Sequence, residues 1–366
     1  MSRVTLQDVA EHAGVSMKTV SNVVRGYQHV SPGMRERVQA AIDELGYRPN
    51  RTGRSLATGR SSMLGLAFPD LRRPYFAELA HVFARVAESR GYRLLLAETG
   101  ATADGERSVL RDREAGIMDA MVMQPQVLPA RELDGERHGM PIVFLGEDPQ
   151  PDGADQVAID NVAAARDAVG HLVRAGRRRI GFLGHETDRM SWTSRLRIEG
   201  YRRALADAGL SADPELLVMR RQDGDARDAE EALDAALTAG LQLDGLLCRD
   251  DLAAIGALRA LRRHGLDVPG DVAVIGWDAI ELGASTAPSL TSVAPDTRAL
   301  AERALDLLLE RLEGYAGPGR HVTVGHTIEF RESAPAGSAV AGGTAAGGAV
   351  AGSAVAGGAV AGGTAP

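Results

Sequence analysis

The sequence predicts an α/β protein in which a small all-α segment precedes a two-lobed α/β domain with parallel sheets. In the first 47 residues, apolar side chains recur at helical spacing. From Met63 onward, short β-rich apolar runs alternate with amphipathic helices, as in parallel sheets built with crossover helices. The 366 residues, 44% of them apolar, exceed what one core organises, so several domains are expected.

The first 47 residues have the start and stop signals of three short helices. Thr5 can cap the first helix, with an Asp three residues later as a variant of the capping box, and Gly14 ends it. Ser16 can cap the second helix. The third helix starts at Ser31, has a proline at its first helical position and stops at Gly46. The segment is therefore predicted to be an all-α headpiece.

The strands of the larger domain are predicted from eight apolar runs. In chain order these runs are MLGLAFP, YRLLLAE, DAMVMQ, IVFLG, RIGFLG, ELLVMR, DGLLC and DVAVIGWD. We expect about ten strands in all. That number would be too many for one simple doubly wound sheet, so we divide them between two similar lobes. The cleft between two such lobes is the default position for a ligand site.

Composition sets the remaining boundaries. Residues 1–47 form the headpiece, and residues 48–60 are a basic, polar linker that has too little apolar content to fold alone. Residues 61–333 form the two-lobed domain. Residues 334–366 contain only Ala, Gly, Val, Ser, Thr and Pro without heptad spacing, so we predict a disordered tail.

Charge is distributed unevenly along the chain, whose net charge is −8. Residues 1–62 carry nine Lys or Arg against five Asp or Glu, and everything after them is acidic overall. Attraction for nucleic acid is therefore confined to the N-terminal segment. The single cysteine, Cys248, excludes an internal disulfide framework, and neither a metal nor a cofactor is expected. With no secretory signal and no apolar membrane-length stretch, we expect a cytoplasmic protein without membrane contact.

The helix, glycine-containing turn and helix in VTLQDVAEHAGVSMKTVSNVVRG have the geometry that places a second helix in the DNA major groove. Together with VSPGMRERVQAAIDELGYRPN behind it, this segment resembles the headpiece of the lactose-repressor (LacI/GalR) family. The similarity continues through RSLATGRS, PYFAEL and CRDDLAAIGALRALRRHGLDVPGDVAVIGWDAIE, and so covers the chain up to residue 333.

The resemblance implies a helix-turn-helix headpiece followed by a periplasmic-binding-protein-like domain that binds an effector and dimerises. The implied function is that of a DNA-binding transcriptional regulator, and a repressor is the form we expect. A single headpiece contacts few bases, so a homodimer on a near-palindromic operator in double-stranded DNA is expected. Without terminal heptads, a dimer is favoured over a tetramer.

Several headpiece residues match positions at which the family contacts DNA. Base edges would be read by Met17, Lys18 and Asn22, through apolar contact and through hydrogen bonds to guanine and adenine. The phosphate backbone would be held by Thr5, Ser16, Thr19 and Ser31. The alternative for Ser16 and Ser31 is that they only cap helices, a role that is compatible with phosphate contact.

The linker matches the family's hinge segment, which folds into a helix on the operator. Leu56 falls where a leucine enters the minor groove and helps to bend the duplex. Gly53 stands where alanine is usual, and glycine costs roughly 1 kcal/mol of helix propensity. Coupling between effector and DNA is therefore expected to be looser than usual. The alternative is that Leu56 is an ordinary linker residue.

The effector site implied by the resemblance lies between the lobes. Its predicted members are Tyr75, Phe76, Arg197, Asp250 and Asp278, with Asp160, Trp192 and Trp277 as further candidates. Asp250 stands where the family usually has asparagine, which replaces an amide donor by a carboxylate. Aromatic faces with Asp and Arg suit a sugar or sugar derivative, although a nucleoside could stack on the same rings.

Each candidate also has a purely structural interpretation. Asp160 could cap a helix, Trp192 and Trp277 could be core or rim aromatics, and Arg197 could pair with a carboxylate in the empty pocket.

Two other functional classes share parts of this pattern. A solute-binding receptor would carry a signal peptide and lack the reader helix, whereas this chain has the opposite features. A sugar-processing enzyme would need an activating base, metal or phosphate loop, and the sequence contains no HExxH, Walker A or GxSxG motif. The sequence therefore favours the regulator over both, and leaves open which effector binds and whether that effector releases or strengthens DNA binding.

Overall fold

The computed structural model has the predicted α/β architecture, with a helical headpiece and two lobes that each contain a mainly parallel sheet. It describes residues 4–24, 27, 29–47, 60–112, 117–133, 140–148, 150–151, 153–186, 190–220 and 224–337. The predicted hinge residues Gly53 and Leu56 lie outside the described residues. None of the helices in the described part of the chain is long and apolar enough to cross a membrane.

The headpiece helices begin and end where the capping signals predict. They are α1 (Leu6–Ala13), α2 (Met17–Val24) and α3 (Pro32–Leu45). Thr5 forms a capping box at the start of α1, and Gly14 ends that helix with a left-handed φ of 61°. The apolar faces of the three helices meet in a small core of Val9, Ala10, Ala13, Val20, Val23, Val38, Ala41 and Tyr47.

The larger domain alternates strands and helices. In chain order its elements are β1 (Met63–Phe68), α4 (Pro74–Ser89), β2 (Arg93–Glu98), α5 (Ala103–Asp112), β3 (Ala120–Met123), α6 (Ala130–Leu133), β4 (Ile142–Leu145), β5 (Asp155–Ile159), α7 (Asn161–Arg174), β6 (Ile180–Glu186), α8 (Trp192–Asp207), β7 (Leu217–Arg220), α9 (Ala226–Thr238), β8 (Gly245–Cys248), α10 (Asp251–Arg263), β9 (Ala273–Trp277), α11 (Glu281–Ala284), β10 (Thr291–Pro295), α12 (Thr297–Leu312), β11 (His321–Val324) and β12 (His326–Glu329).

These strands form two separate sheets. The N-lobe sheet has the order β2-β1-β3-β4-β5-β11 and is parallel throughout. The C-lobe sheet has the order β7-β6-β8-β9-β10-β12, with β12 antiparallel to β10. Helices cover both faces of each sheet with apolar side chains. Because successive residues of a strand point to opposite faces, neighbouring strand residues enter different core clusters. In the C-lobe, Leu247 faces one core cluster while Leu246 and Cys248 face the other.

In the part of the chain that the structure describes, the backbone passes between the lobes at three points. It crosses after β5 at Asp160, after β10 at Asp296 and after β11 at Gly325, where the Asp296 amide donates to the Gly325 carbonyl at 3.0 Å. Because the last crossing returns to the C-lobe, the end of the domain packs there. Ala334, which we assigned to the tail, is buried in a C-lobe core cluster. The tail beyond residue 337 lies outside the described residues.

Candidate functional site

A polar cavity of about 260 Å³ lies between the carboxyl ends of the strands of the two lobes. Parallel sheets direct the loops that follow their strands to one edge, where ligands generally bind. A smaller space of about 50 Å³ continues from it towards Glu147 and shares Tyr75 and Arg197 with it. The main cavity is lined by Pro69, Asp70, Arg72, Arg73, Tyr75, Phe76, Glu98, Gly100, Ala101, Gln124, Gln126, Ser191, Thr193, Arg197, Arg249, Asp250 and Asp278.

All five principal effector residues predicted from the sequence line this cavity, although their binding role remains a prediction. Tyr75 and Phe76 open α4 from the N-lobe, and Arg197 comes from α8 in the C-lobe. Asp250 and Asp278 follow the ends of β8 and β9. Phe76 is buried and stacks on Phe68 with a centroid separation of 5.1 Å, so Tyr75 presents the more accessible ring.

Arg197 is held at the centre of the site by neighbours from three segments. Its Nε donates to Asn161 Oδ1 at 2.7 Å, and its Nη1 donates to the Arg249 carbonyl. The guanidinium lies 3.9 Å from the centroid of the buried Trp277 ring, a cation–π contact. Burial lowers the pKa of Arg197, but an arginine remains charged under physiological conditions. No hydrogen bond occupies its Nη2 within the described residues, and the side chain lines the cavity.

Asp278 supplies the complementary acceptor. Its φ of 102° is unusual for a residue with a side chain, and such strain concentrates at functional sites. Its backbone is fixed by the Asp278 amide, which donates to the Val293 carbonyl at 2.9 Å. Burial raises the pKa of its carboxyl well above the usual value, and nearby Arg197 opposes that shift. Among the described residues, none donates a hydrogen bond to this carboxylate.

Asp250 is more heavily engaged than the sequence suggested. Its Oδ1 accepts the Ala253 amide at 2.8 Å and caps α10. Its Oδ2 accepts a hydrogen bond from Arg73 Nη2 at 2.8 Å and lies 3.4 Å from Arg249 Nη1. The carboxylate that replaces the family's usual asparagine is therefore matched by two arginines. One of them, Arg73, belongs to the opposite lobe.

The three further candidates do not line the main cavity. Asp160 is exposed and caps α7 by accepting the Ala163 amide at 2.9 Å, which agrees with its structural interpretation. Trp192 is 43% exposed and lies beside Arg195. Trp277 is fully buried beneath Arg197 and supports that side chain from below.

Sequence reasoning missed several polar side chains of the cavity. They are Asp70, Arg73, Glu98, Gln124, Gln126, Thr193 and Arg249. Most of them end or follow a strand, so the rule that ligands bind at carboxyl ends of parallel strands was a signal that could have found them. No group of three or more His, Cys, Asp or Glu side chains in the described ranges could hold a metal ion.

The predicted DNA-reading residues share the outer side of α2. This helix buries Val20 and Val23 in the headpiece core, while Met17 is 52% exposed. Lys18 is exposed and Asn22 half-buried one turn further on, so both side chains lie on the same face. The arrangement is the one that a reader helix requires.

The four predicted phosphate contacts differ in their local bonding. Thr5 and Ser16 both cap helices: the Asp8 amide donates to Thr5 Oγ1 at 3.3 Å, and the Thr19 amide donates to Ser16 Oγ at 3.1 Å. Ser31 occupies the N-cap position of α3 but makes no side-chain capping bond. The capping interpretation therefore explains the Ser16 hydroxyl but not that of Ser31.

Comparison with known proteins identifies relatives of both parts of the chain. Residues 5–50 match the family described as bacterial regulatory proteins, lacI family, and residues 169–334 match the periplasmic binding protein-like domain. The HTH-type transcriptional regulator AscG of Escherichia coli K12 is 33% identical over 314 residues, which cover 85% of this chain and 92% of AscG.

Two solved structures show similarity over nearly the whole chain. The lac repressor dimer bound to operator and the anti-inducer ONPF has a TM-score of 0.78 and 27% identity, covering 92% of this chain and all of that one. The complex of the transcriptional regulator CelR with cellobiose has a TM-score of 0.68 and 28% identity, covering 90% of this chain and all of that one.

A helix-turn-helix headpiece joined to a two-lobed domain with a polar cleft defines a DNA-binding transcriptional regulator with an effector-binding domain. The chain belongs to the lacI family of bacterial regulatory proteins. AscG is named a transcriptional regulator and not an enzyme, which is consistent with the non-enzymatic function expected from the sequence.

Proposed function

We propose that the protein is a repressor whose affinity for a near-palindromic operator is set by a sugar or sugar derivative bound between the lobes. The observation that carries the proposal is the meeting of Arg197 and Asp278 in the cavity. One offers an unused donor and the other a carboxylate without a donor among the described residues. A sugar hydroxyl both donates and accepts, so neighbouring hydroxyls can satisfy both groups.

The remainder of the cavity also suits a neutral, hydroxyl-rich ligand. Gln124 and Gln126 add amide groups that donate and accept, and Tyr75 adds an aromatic face. The lining contains four Arg and four Asp or Glu, so acidic and basic side chains are equally numerous and no cluster of one type marks an anion site. The relative CelR was solved with cellobiose, which supports a carbohydrate over a nucleoside.

On the DNA side, the proposed base-reading residues are Met17, Lys18 and Asn22, and the proposed phosphate contacts are Thr5, Ser16, Thr19 and Ser31. The proposal makes the active species a homodimer, because two headpieces are needed to read the halves of a palindrome. The lac repressor was solved as a dimer on its operator, which supports this assembly. Action on chromosomal DNA would place the protein in the cytoplasm.

A thermal-denaturation screen of the full chain against sugars, sugar phosphates and nucleosides tests the effector. A ligand at 100 times its Kd adds about 2.7 kcal/mol to the stability of the folded state. We expect a sugar to stabilise the parent protein and not the Asp278→Asn variant, while Arg195→Lys, an exposed change on the helix α8 that carries Arg197, keeps the response. Stabilisation by nucleosides alone would refute the carbohydrate assignment.

A further inference from the structure

We propose that Arg73 and Asp250 form an ionic latch that holds the two lobes together before any effector binds. Arg73 directly precedes α4 in the N-lobe, and Asp250 directly precedes α10 in the C-lobe. The two residues are 177 positions apart in sequence, yet Arg73 Nη2 donates to Asp250 Oδ2 at 2.8 Å. The consequence for effector binding rests on the proposed function, but the latch itself can be tested without a ligand.

The latch is partly buried, which distinguishes it from an ordinary surface ion pair. The Asp250 side chain is 6% exposed and the Arg73 side chain 22% exposed. Exposed pairs contribute little, whereas truncating one partner of a desolvated, hydrogen-bonded pair has a large effect because the remaining charge loses its partner. Opening of the cleft would separate Arg73 from this carboxylate, whereas Asp250 would keep its contact with Arg249 in its own lobe.

The two carboxylate oxygens of Asp250 make different contacts. Oδ1 caps α10 and fixes the side chain rotamer, so Oδ2 is directed at the opposite lobe. Asparagine caps helices about as well as aspartate but has no charge to offer Arg73. Asp250→Asn therefore removes the ionic part of the latch while keeping the helix start.

A more exposed ion pair lies beside the latch. Arg72 and Asp70 form a contact of similar length, 2.9 Å, but both residues belong to the N-lobe. Charge removal at Arg72 therefore reports the general effect of losing an arginine at the rim, without breaking a contact between lobes.

One backbone amide reports closure directly. The Glu281 amide, at the first residue of α11 in the C-lobe, donates to Glu78 Oε1 of the N-lobe at 3.1 Å. Glu281 is exposed, and first-turn amides have no partner within their own helix. Its protection from hydrogen exchange therefore depends on the lobes being closed.

The experiment is residue-resolved hydrogen–deuterium exchange on the full chain without ligand, comparing the parent with Arg73→Gln, Asp250→Asn, the double variant and Arg72→Gln. We expect each latch variant to accelerate exchange at Glu281 about tenfold or more, equivalent to about 1.4 kcal/mol. The double variant should exchange at most about twofold faster than the faster of the two single variants, because both substitutions remove the same contact. Arg72→Gln should match the parent.

The Ala253 amide is the folding control, since it bonds the same Asp250 side chain from within the C-lobe. It should keep its protection in Asp250→Asn. The latch is refuted if neither single variant changes exchange at Glu281, if Arg72→Gln accelerates it equally, or if the effects of the two latch substitutions add. Equal acceleration at Ala253 would reveal local unfolding of α10 instead of cleft opening, and would also overturn the proposal.

Discussion

Arg197→Lys tests whether the guanidinium shape, and not its charge alone, organises the cleft. Lysine keeps the positive charge near Asp278 but cannot bond Asn161 and the Arg249 carbonyl in the same fork. Its compact ammonium is also more strongly hydrated, so burial against Trp277 is less favourable. The substitution therefore separates geometry from electrostatics.

The expected loss of stability follows from these contacts. A hydrogen bond to a charged group contributes about 1.5–3 kcal/mol, and a desolvated cation–π contact about 2 kcal/mol. Lysine retains part of the hydrogen-bond contribution and part of the cation–π contribution, so we expect a net destabilisation of about 2–4 kcal/mol. For a domain of 150–250 residues, each kcal/mol corresponds to about 2–4 °C in Tm. The predicted decrease in Tm is therefore roughly 4–16 °C, and the protein should still fold at room temperature.

Thermal melts followed by circular dichroism measure this decrease, and Arg195→Lys on the exposed side of α8 is the matched control. The control should change Tm little, because surface substitutions usually remain within about 0.5 kcal/mol. Sugar affinity, measured by calorimetry, should decrease about 10- to 100-fold in Arg197→Lys through its lost directed donor. Equal melting temperatures for the two variants would refute the claim that the fork fixes the site.

Three further predictions concern pH, DNA and packing. Burial raises the pKa of Asp251 from 3.8 to about 7, so its contribution to stability is full below pH 3.8 and is lost by about 1.4 kcal/mol per unit as the pH rises towards 7. Asp251→Asn should flatten this dependence in urea denaturation, and an unchanged slope would contradict the assignment. Thr5→Ala should weaken DNA binding and destabilise the headpiece by about 1 kcal/mol through its lost cap, whereas Ser31→Ala should weaken DNA binding alone. Gly200→Ala would place a Cβ 2.3 Å from a backbone oxygen of α7 and should cost at least about 1–3 kcal/mol, while Gly170→Ala, facing a flexible arginine at 3.2 Å, should not destabilise the protein.

The features that sequence predicted well are those fixed by neighbouring residues. The caps at Thr5 and Ser16 and the stops at Gly14 and Gly46 depend on side chains within one helical turn, so local chemistry determines them. The eight apolar runs were also found as strands. In β1, β3, β4, β8 and β9 nearly every residue is buried, because both faces of a parallel sheet are covered.

Four strands of the described part of the chain were missed. They are β5, β10, β11 and β12, with sequences DQVAI, TSVAP, HVTV and HTIE that mix polar and apolar residues. Their strand conformation depends on pairing with distant segments: β11 pairs with β5, and β12 pairs with β10. Such pairing is decided by tertiary structure and not by local propensity.

The residues of the cleft also differ in whether their contacts are determined by nearby or by distant parts of the sequence. The positions of Tyr75, Arg197 and Asp278 came from resemblance and strand ends, but the partner of Asp250 came from the other lobe and had no local signal. A carboxylate in place of asparagine suggested only an added negative charge in the pocket. The residue needed to interpret it, Arg73, is identified as its partner only when the two lobes are seen together.

The strained and buried groups of the cleft reduce the stability of the folded state. Asp278 combines a left-handed backbone with a buried carboxylate, and Arg197 places a guanidinium against an indole ring. Buried charges of this kind rarely increase stability over apolar residues of similar size. Their cost falls if a ligand supplies the missing hydrogen bonds, because the same groups are then satisfied. The arrangement therefore couples binding free energy to the closed cleft, which is what an effector-controlled regulator requires.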